Sequence, residues 1–599
     1  DRRQRQMCIR DRYSMYTELK SYQIIIALLK QYGISHCVLS AGSRNVPFVH
    51  SIEEDPFFKC YSVVDERSAG YFALGLAQEL NQPVVISCTS STATCNYWPP
   101  VAEAFYQGVP LIVLTSDRDP AMLGQWEDQM IDQVGMYDRH VKKSVNLPVV
   151  ENKKDFWWCQ RLVNEALLEL DHHGKGPVHI NVPMTSYNIS FNVKNLPYVT
   201  KINRLETDKD LDLWSSKVEK LKQSKRILIT CGQNSSVSDQ LKIEMEKFFH
   251  RYNSTISVEY MSNLSCDGVI NTFTCWDTRY VTERKFLDFI PDIVISFGGN
   301  IMSGVKEMLK RNCGKFEHWS IQEDGRIVDM FMSLTTVFEC SPEYFFSYAN
   351  QNSDETQKND RTYYNEIKSY ADSIVYPEFE YSNVYVIKNI VESIPSDSML
   401  HLAINGAIRI TNYSMLKPNI KVYANIGTHG IDGCMSSFLG QASVRSALSF
   451  LVIGDLAFFY DMNSIRIRHL GKNVRILLIN NQGGEEFYYN GMWQDEASDL
   501  HTTARHHTKA EGWVKECGIK YIAVHCKDEL EAAKQVFFDE AYDRPVLIEA
   551  FTEMAHDSKV LYDFYALSKP VDMKQKSKEV IKGVIGQEAA KKLKNMFNK

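Results

Sequence analysis

The sequence predicts an α/β protein made of three doubly wound parallel-sheet domains. Two observations carry this. Short β-rich apolar runs alternate with helical patterns, and the alternation recurs in three successive blocks. Strand–helix–strand units of this kind close with right-handed crossovers into parallel sheets, with helices on both faces.

In the first block, residues 18–31 place Ile24, Ala27 and Leu28 at helical spacing, and Gly33 stands where a C-terminal cap belongs. Residues 36–39 are strand-like and run into the turn Ser40-Ala41-Gly42-Ser43-Arg44. Strand-like segments 60–64, 84–88 and 111–114 then alternate with helix-like segments 66–79 and 92–106. In the middle block, residues 226–230 and 293–297 are apolar runs followed closely by glycine, and the polar stretch 350–361 reads as a linker or loop. The third block has its clearest strands at 449–453, 475–479 and 546–550. The expected domains are therefore 13–195, 196–375 and 376–570. Residues 1–12, with five arginines, read as a disordered or non-native arm ahead of a start at Met15. Residues 571–599 read as a basic amphipathic helix with Ile581, Val584, Ile585, Leu593 and Phe597 on one face. Docking on its own domain is the plainer role for that helix, and a partner or membrane surface the sharper one.

Composition narrows the function. A chain of 599 residues buries several cores without metal or disulfide staples. A net charge of -7 argues against a general nucleic-acid binder. No apolar run approaches the roughly 18–20 residues of a membrane span. The 14 cysteines show no CxxC and no zinc-ligand spacing, which fits reduced thiols in the cytoplasm. Neither GxGxxG after a strand nor GxxxxGK[ST] occurs, against a dinucleotide oxidoreductase and a P-loop enzyme.

The chemistry concentrates at two strand tips. Gly454-Asp455 ends one apolar strand, and Asn480-Asn481-Gln482-Gly483-Gly484 ends the next. In a parallel sheet both tips emerge on the edge where ligands bind. One carboxylate, one amide oxygen and one backbone carbonyl make an all-oxygen donor set with a single charge. That suits Mg²⁺ completed by phosphate oxygens, and the glycines let phosphates approach the backbone. Alone, Asp455 reads as a helix cap and the Asn-Gly run as a turn. Glu66, directly after a strand and in a first helical turn, reads alone as an acid favoured by the helix dipole.

Together these residues change the reading. Gly454-Asp455 followed by Asn480-Asn481 resembles the diphosphate-binding signature of thiamine-diphosphate (ThDP) enzymes. Glu66 in DERSAGYFALGLA resembles the glutamate that hydrogen-bonds their aminopyrimidine ring. The resemblance extends over residues 16–565. Through SAGSR, CTSSTA, PLIVLTSDR, DQMIDQ, GPVHINVP, GIDG, GDLAFFYDMN and NNQGG it is similar above all to the menaquinone-pathway branch, the MenD-type 2-succinyl-5-enolpyruvyl-6-hydroxy-3-cyclohexene-1-carboxylate (SEPHCHC) synthases.

The resemblance implies the ThDP-binding fold, with pyrimidine-binding, central and diphosphate-binding domains in that order. It implies ThDP and Mg²⁺ as cofactors, with Mn²⁺ as an alternative. Asp455, Asn481 and the Gly483 carbonyl would hold the metal. Gly454 and Gly484 would face the diphosphate, and Ile431 would prop the cofactor into its bent shape. Glu66 would be the catalytic residue, favouring the imino tautomer of the ring. The substrates would be a 2-oxo acid (2-oxoglutarate in this branch) and the acceptor isochorismate, met by Ser43, Arg44, Arg118, Gln129 and Arg409. Arginine suits such carboxylates because its planar fork binds them bidentately. The site would lie between subunits of a homodimer or homotetramer.

The chain departs from the family around the substrate. Ser91 stands in place of a glycine, Asp128 of an asparagine, Asn405 of a serine, Ile426 of an arginine, and Glu486 of an apolar residue. One cation lost and two carboxylates gained make the pocket less suited to polyanionic substrates, since an unpaired buried carboxylate there is costly. That pattern also fits a divergent 2-oxo-acid decarboxylase or carboligase of sugar or polysaccharide metabolism. A non-catalytic paralogue would not be expected to keep Glu66, Asp455 and Asn481.

Overall fold

The structure, a computed structural model, describes residues 16–185, 189–353, 358–467, 470–489 and 498–567. The arm at 1–12 and the helix at 571–599 lie outside these described residues. The chain divides into two compact units. The first takes in the described part of Asp1–Leu205 with Gly325–Val328 and Leu334–Val337, and the second the described part of Glu206–Asp324, Asp329–Ser333 and Phe338–Lys599.

The first unit is built on a six-stranded sheet. Its order is Lys59–Ser62, His36–Leu39, Val84–Cys88, Leu111–Asp117, Val178–Pro183, Lys143–Asn146. Every pairing is parallel. The central strands Val84–Cys88 and Leu111–Asp117 are buried along their whole length, as a sheet covered on both faces requires. Helix Lys20–Gln31 buries Ile24, Ile25, Leu28 and Leu29 against one face. Helix Glu66–Leu80 buries Ala69, Ala73 and Ala77 in the cluster on the other.

The predicted helix 92–106 is two helices, Thr92–Asn96 and Trp98–Gln107, broken at Tyr97. Pro99 and Pro100 explain the break. Proline offers no N–H to the preceding turn and its ring crowds that turn, so it is tolerated only where a helix starts. Strand Leu111–Asp117 runs three residues past its predicted end. Its last residues, Thr115, Ser116 and Asp117, are polar yet buried, and apolar patterning does not announce them.

The second unit holds two further parallel sheets. One carries Val269–Asn271, Ser254–Val258, Ile227–Cys231, Ile293–Phe297 and Glu317–Ile321 in that spatial order. The other runs Lys421–Ala424, Met399–Leu402, Ser449–Gly454, Val474–Asn480, Val546–Phe551, Lys520–Val524. The three predicted α/β sheets are thus present, each strand order showing the central reversal of a doubly wound fold. Buried Arg475 ties down one end of the last sheet by donating to the Lys472, Val474, Phe537 and Asp539 carbonyls. No helix among the described residues is long and apolar enough to cross a membrane.

Candidate active site

Strands Ser449–Gly454 and Val474–Asn480 pair in parallel with Gly454 opposite Ile479, so Asp455 and Asn481 leave the sheet side by side. Asp455 opens helix Asp455–Tyr460. Its carboxylate is buried, accepting the Leu456 N–H at 2.6 Å and the Gly483 N–H at 3.1 Å. Asp455 does not fill the N-cap position, which falls to Gly454. Asn481 donates its amide N–H to Glu485 Oε2 at 2.9 Å, leaving its carbonyl oxygen as the acceptor end. Asn383 donates to the same Glu485 oxygen at 2.5 Å. From behind, the fully buried Glu549 accepts from Asn480 at 2.7 Å and from the Tyr521 hydroxyl at 2.8 Å, which fixes the strand tip.

These tips border a cavity of about 310 Å³ lined by Ile431, Gly454, Asp455, Asn481, Gly483 and Gly484 among others. All six residues of the second unit that the sequence leads one to expect at the cofactor therefore line one cavity. Two features fit a metal-bound diphosphate. The three expected metal donors, the Asp455 carboxylate, the Asn481 amide oxygen and the Gly483 carbonyl, are oxygens with one formal charge among them, which suits a hard cation, while His506 Nε2 stands 3.3 Å from Asp455 Oδ2. A Cβ built on Gly454 would meet nothing within 4 Å, so the space above that backbone is open. Gly483 is different. Its φ is +154° and a Cβ there would sit 2.8 Å from the Thr503 carbonyl, so only glycine fits this turn.

Glu66 lies in the first unit, in the first turn of helix Glu66–Leu80. Asp65 caps that helix by accepting the Ser68 N–H at 2.7 Å, and Glu66 itself is half-buried. One turn on, a Cβ on Gly70 would meet the Pro100 ring at 2.3 Å. The absence of a side chain at 70 lets helix Trp98–Gln107 seat directly against the helix that carries Glu66.

The first unit also gathers part of the expected substrate set. Arg44 and Arg118, both buried, line a cavity of about 220 Å³ with Asp119 and Glu127. Arg118 donates to Glu127 Oε1 at 2.7 Å and to Gln129 Oε1 at 3.4 Å. Ser90 Oγ donates to the Gln129 carbonyl at 3.0 Å, and Arg44 N–H donates to Thr89 Oγ1 at 3.2 Å. Burial first, then the positive charge of Arg118, lower the Arg44 guanidinium from its usual value. Ser43 is exposed beside them. Arg409 lies on helix Gly406–Thr411 of the second unit.

The departures from the family resolve differently from one another. Glu486, expected as an unpaired carboxylate, is instead bound bidentately by Arg409 at 3.1 and 3.2 Å. That corrects the expectation of a raw buried charge, because its partner lies 77 residues away in sequence. Ile426 is fully buried in the core of the third sheet. Asp128 is exposed. Ser91 takes φ +69° and ψ −129°, a glycine-like conformation. Gln133 Oε1 accepts its N–H at 2.8 Å, and Gln133 in turn donates to Asn181 at 3.0 Å. Glu485, Asn383 and Gln133 were not singled out by sequence reasoning. Among them only Gln133 sat in a recognised stretch, DQMIDQ.

Comparison with known proteins agrees with this geometry. Residues 19–136 match the family "Thiamine pyrophosphate enzyme, N-terminal TPP binding domain". A 2-succinyl-5-enolpyruvyl-6-hydroxy-3-cyclohexene-1-carboxylate synthase of Bacteroides thetaiotaomicron is 38% identical over 560 residues, covering 92% of this chain and 99% of the relative. The synthase of the same name from Phocaeicola vulgatus is 38% identical over 559 residues, with the same coverage of both chains. That of Flavobacterium johnsoniae is 29% identical over 575 residues, covering 92% of this chain and 99% of its own. With a glutamate at the head of a helix in one unit, a cavity bordered by Asp455 and Asn481 in the other, and likeness running the length of both chains, this protein belongs to the SEPHCHC synthase family of thiamine pyrophosphate enzymes.

Proposed function

We propose that this chain decarboxylates 2-oxoglutarate and adds the remaining succinyl unit to isochorismate, the reaction of menaquinone biosynthesis for which the family is named. The observation that carries the reading is the likeness over 92% of the chain to synthases of that name. The cofactors are ThDP and a divalent metal, and the oxygen donors favour Mg²⁺, with Mn²⁺ as an alternative. When bound, ThDP supplies the nucleophilic carbon and the electron sink that loss of CO₂ from a 2-oxo acid demands.

The protein's own groups do the rest. Asp455, Asn481 and the Gly483 carbonyl hold the metal. Gly454 and Gly484 leave room for the diphosphate, and Ile431 gives the cofactor an apolar support. Glu66 holds and returns a proton at its carboxylate, against the pyrimidine ring. Arg44 and Arg118, with Gln129 and Ser43, bind substrate carboxylates in a partly dehydrated cavity, where two neighbouring guanidinium groups favour an anion. Arg409 does so from the second unit. The expected domain limits, 13–195, 196–375 and 376–570, divide these tasks among pyrimidine, central and diphosphate functions. We place the reaction in the cytoplasm, which suits the free cysteines found along the described chain.

The assembly is a homodimer or a pair of them, with each site composed of Glu66 from one copy and the Asp455 edge from another. Mixing Glu66→Gln with Asp455→Asn chains tests this. Random mixed dimers restore one intact site each, so about a quarter of wild-type activity returns. A mixture as inactive as its parents rejects the shared site.

For the reaction, 2-oxo acids are supplied with ThDP and Mg²⁺, and CO₂ release is followed with and without isochorismate. 2-Oxoglutarate consumed together with isochorismate supports the proposal. Another 2-oxo acid turned over, with isochorismate ignored, moves the chain to the divergent decarboxylase or carboligase reading. The Arg409–Glu486 pair is the specific observation on that side.

A further inference from the structure

The Arg409 fork is already holding a carboxylate. Both of its terminal nitrogens reach the two Glu486 oxygens, at 3.1 and 3.2 Å. This is the bidentate arrangement that an arginine offers to a substrate carboxylate. The arginine is the better covered of the two side chains, 14% exposed against 30% for the glutamate. Glu486 begins helix Glu486–Tyr489, just past the Gly483-Gly484 turn, and lines the cavity that Asp455 and Asn481 border. Arg409 lines a polar cavity of about 240 Å³, and Asn405 lines both cavities. The glutamate therefore stands at the diphosphate end and reaches toward the substrate arginine.

The surrounding charges hold this arrangement in balance. Arg279, a second cation lining the same polar cavity, is engaged by Asp277 through two side-chain hydrogen bonds of 2.9 and 2.8 Å. Lys306, in the same polar cavity, donates to Asn300 at 3.0 Å. A second carboxylate arriving at Arg409 would face Glu486 as a like charge unless Glu486 gave way.

We propose that Glu486 is an internal stand-in for a substrate carboxylate: it occupies the Arg409 fork in the resting enzyme, and a carboxylate-bearing substrate must displace it. The proposal rests on Arg409 being a substrate residue, as in the reading above. It adds a specificity consequence. Glu486 lowers the preference of this site for a substrate carrying a carboxylate at that position, relative to one of the same length that lacks it. A partly exposed ion pair supplies only a modest competitor, so displacement weakens binding about fivefold.

The test uses the full chain loaded with ThDP and Mg²⁺, and succinate as a non-reacting dicarboxylate probe. Wild type, Glu486→Gln and Glu486→Ile are compared by calorimetry, the second variant guarding against an effect of glutamine's own hydrogen bonds. Succinate is expected to bind about fivefold more tightly to both variants. In an Arg409→Lys background, which lacks the planar fork, the same Glu486 changes bring no gain. In turnover, kcat/KM for 2-oxoglutarate relative to 2-oxopentanoate rises in Glu486→Gln, and the change falls on KM rather than kcat.

Equal succinate affinity in wild type and variants overturns the proposal. So does succinate failing to bind Glu486→Gln, or an equal gain in the Arg409→Lys background. If no 2-oxo acid is turned over by wild type, the synthase reading fails, while the calorimetric comparison still decides the role of Glu486.

Discussion

Gly454 and Gly483 flank the same cavity, yet an added methyl group should act on them in opposite ways. At Gly483, φ is +154° and the new Cβ would lie 2.8 Å from the Thr503 carbonyl and 3.2 Å from Met554 Cε. Backbone strain of about 1–3 kcal/mol and overpacking of similar size make Gly483→Ala cost about 2–6 kcal/mol of stability. At Gly454, φ is −81° and the Cβ meets nothing. Alanine there gains about 0.4–1 kcal/mol from the unfolded chain and loses a comparable amount at the N-cap, so stability hardly moves. Its methyl instead intrudes where the diphosphate approaches. An overpacking penalty of about 1–3 kcal/mol then weakens cofactor binding about 5- to 150-fold.

Thermal unfolding of the cofactor-free chains and titration of ThDP at saturating Mg²⁺ separate the two effects. Gly483→Ala should melt several degrees lower. Gly454→Ala should melt like wild type and bind ThDP poorly. A Gly454→Ala protein that binds ThDP within twofold of wild type would falsify the placement of the diphosphate over that residue.

Other outcomes follow from the same geometry. Glu66→Gln should keep ThDP affinity but lose at least about 100-fold in kcat, since a proton-holding group contributes on that order; unchanged kcat would remove Glu66 from catalysis. His179 is fully buried between Thr115 Oγ1 at 2.8 Å and Ser144 Oγ at 3.0 Å, and desolvation lowers its pKa to about 3. The unfolded chain takes up that proton near pH 6.5 and the folded chain does not, so acid favours unfolding. Stability should fall by about 1.4 kcal/mol per pH unit below about 6 for this residue, and His179→Gln should flatten the slope of urea midpoints against pH. His401, lowered to about 4 chiefly by burial, adds to the same slope until its folded pKa is reached. Ser91→Gly should raise the melting temperature, because the strained φ of +69° costs a serine about 1–3 kcal/mol and a glycine little; an unchanged melting temperature would mean that the serine carries no such strain.

Sheet and site differed in how far the sequence disclosed them. Strands such as Val84–Cys88 and Ile293–Phe297 were legible because a strand buried on both faces must be apolar throughout. The cavity residues were legible because strand tips and glycine turns are local features. Ile431, Gly454, Asp455, Asn481, Gly483 and Gly484 were all named from motifs, and the structure brings them together. What stayed hidden was tertiary. Nothing local announces that Glu486 meets Arg409, that Glu485 braces Asn481 and Asn383, or that Asp117 at a strand end accepts from Asn181 at 2.8 Å. Polar pairs of long sequence separation leave no periodicity. A substitution that looks costly in the sequence, such as Glu486, is balanced by a partner that only the fold reveals.

The seam between Gly70 and Pro100 bears on how Glu66 is aimed. A helix seated backbone-to-ring cannot rotate about its axis or slide along it without a collision. The glutamate one turn away therefore inherits its direction from a contact in which it takes no part. A bulkier residue at 70 would lift the whole rod by roughly the width of the added atoms, and the carboxylate would travel with it. Damage at this seam would register as an enzyme that folds and binds but works slowly, a phenotype easily misassigned to chemistry when its origin is carpentry.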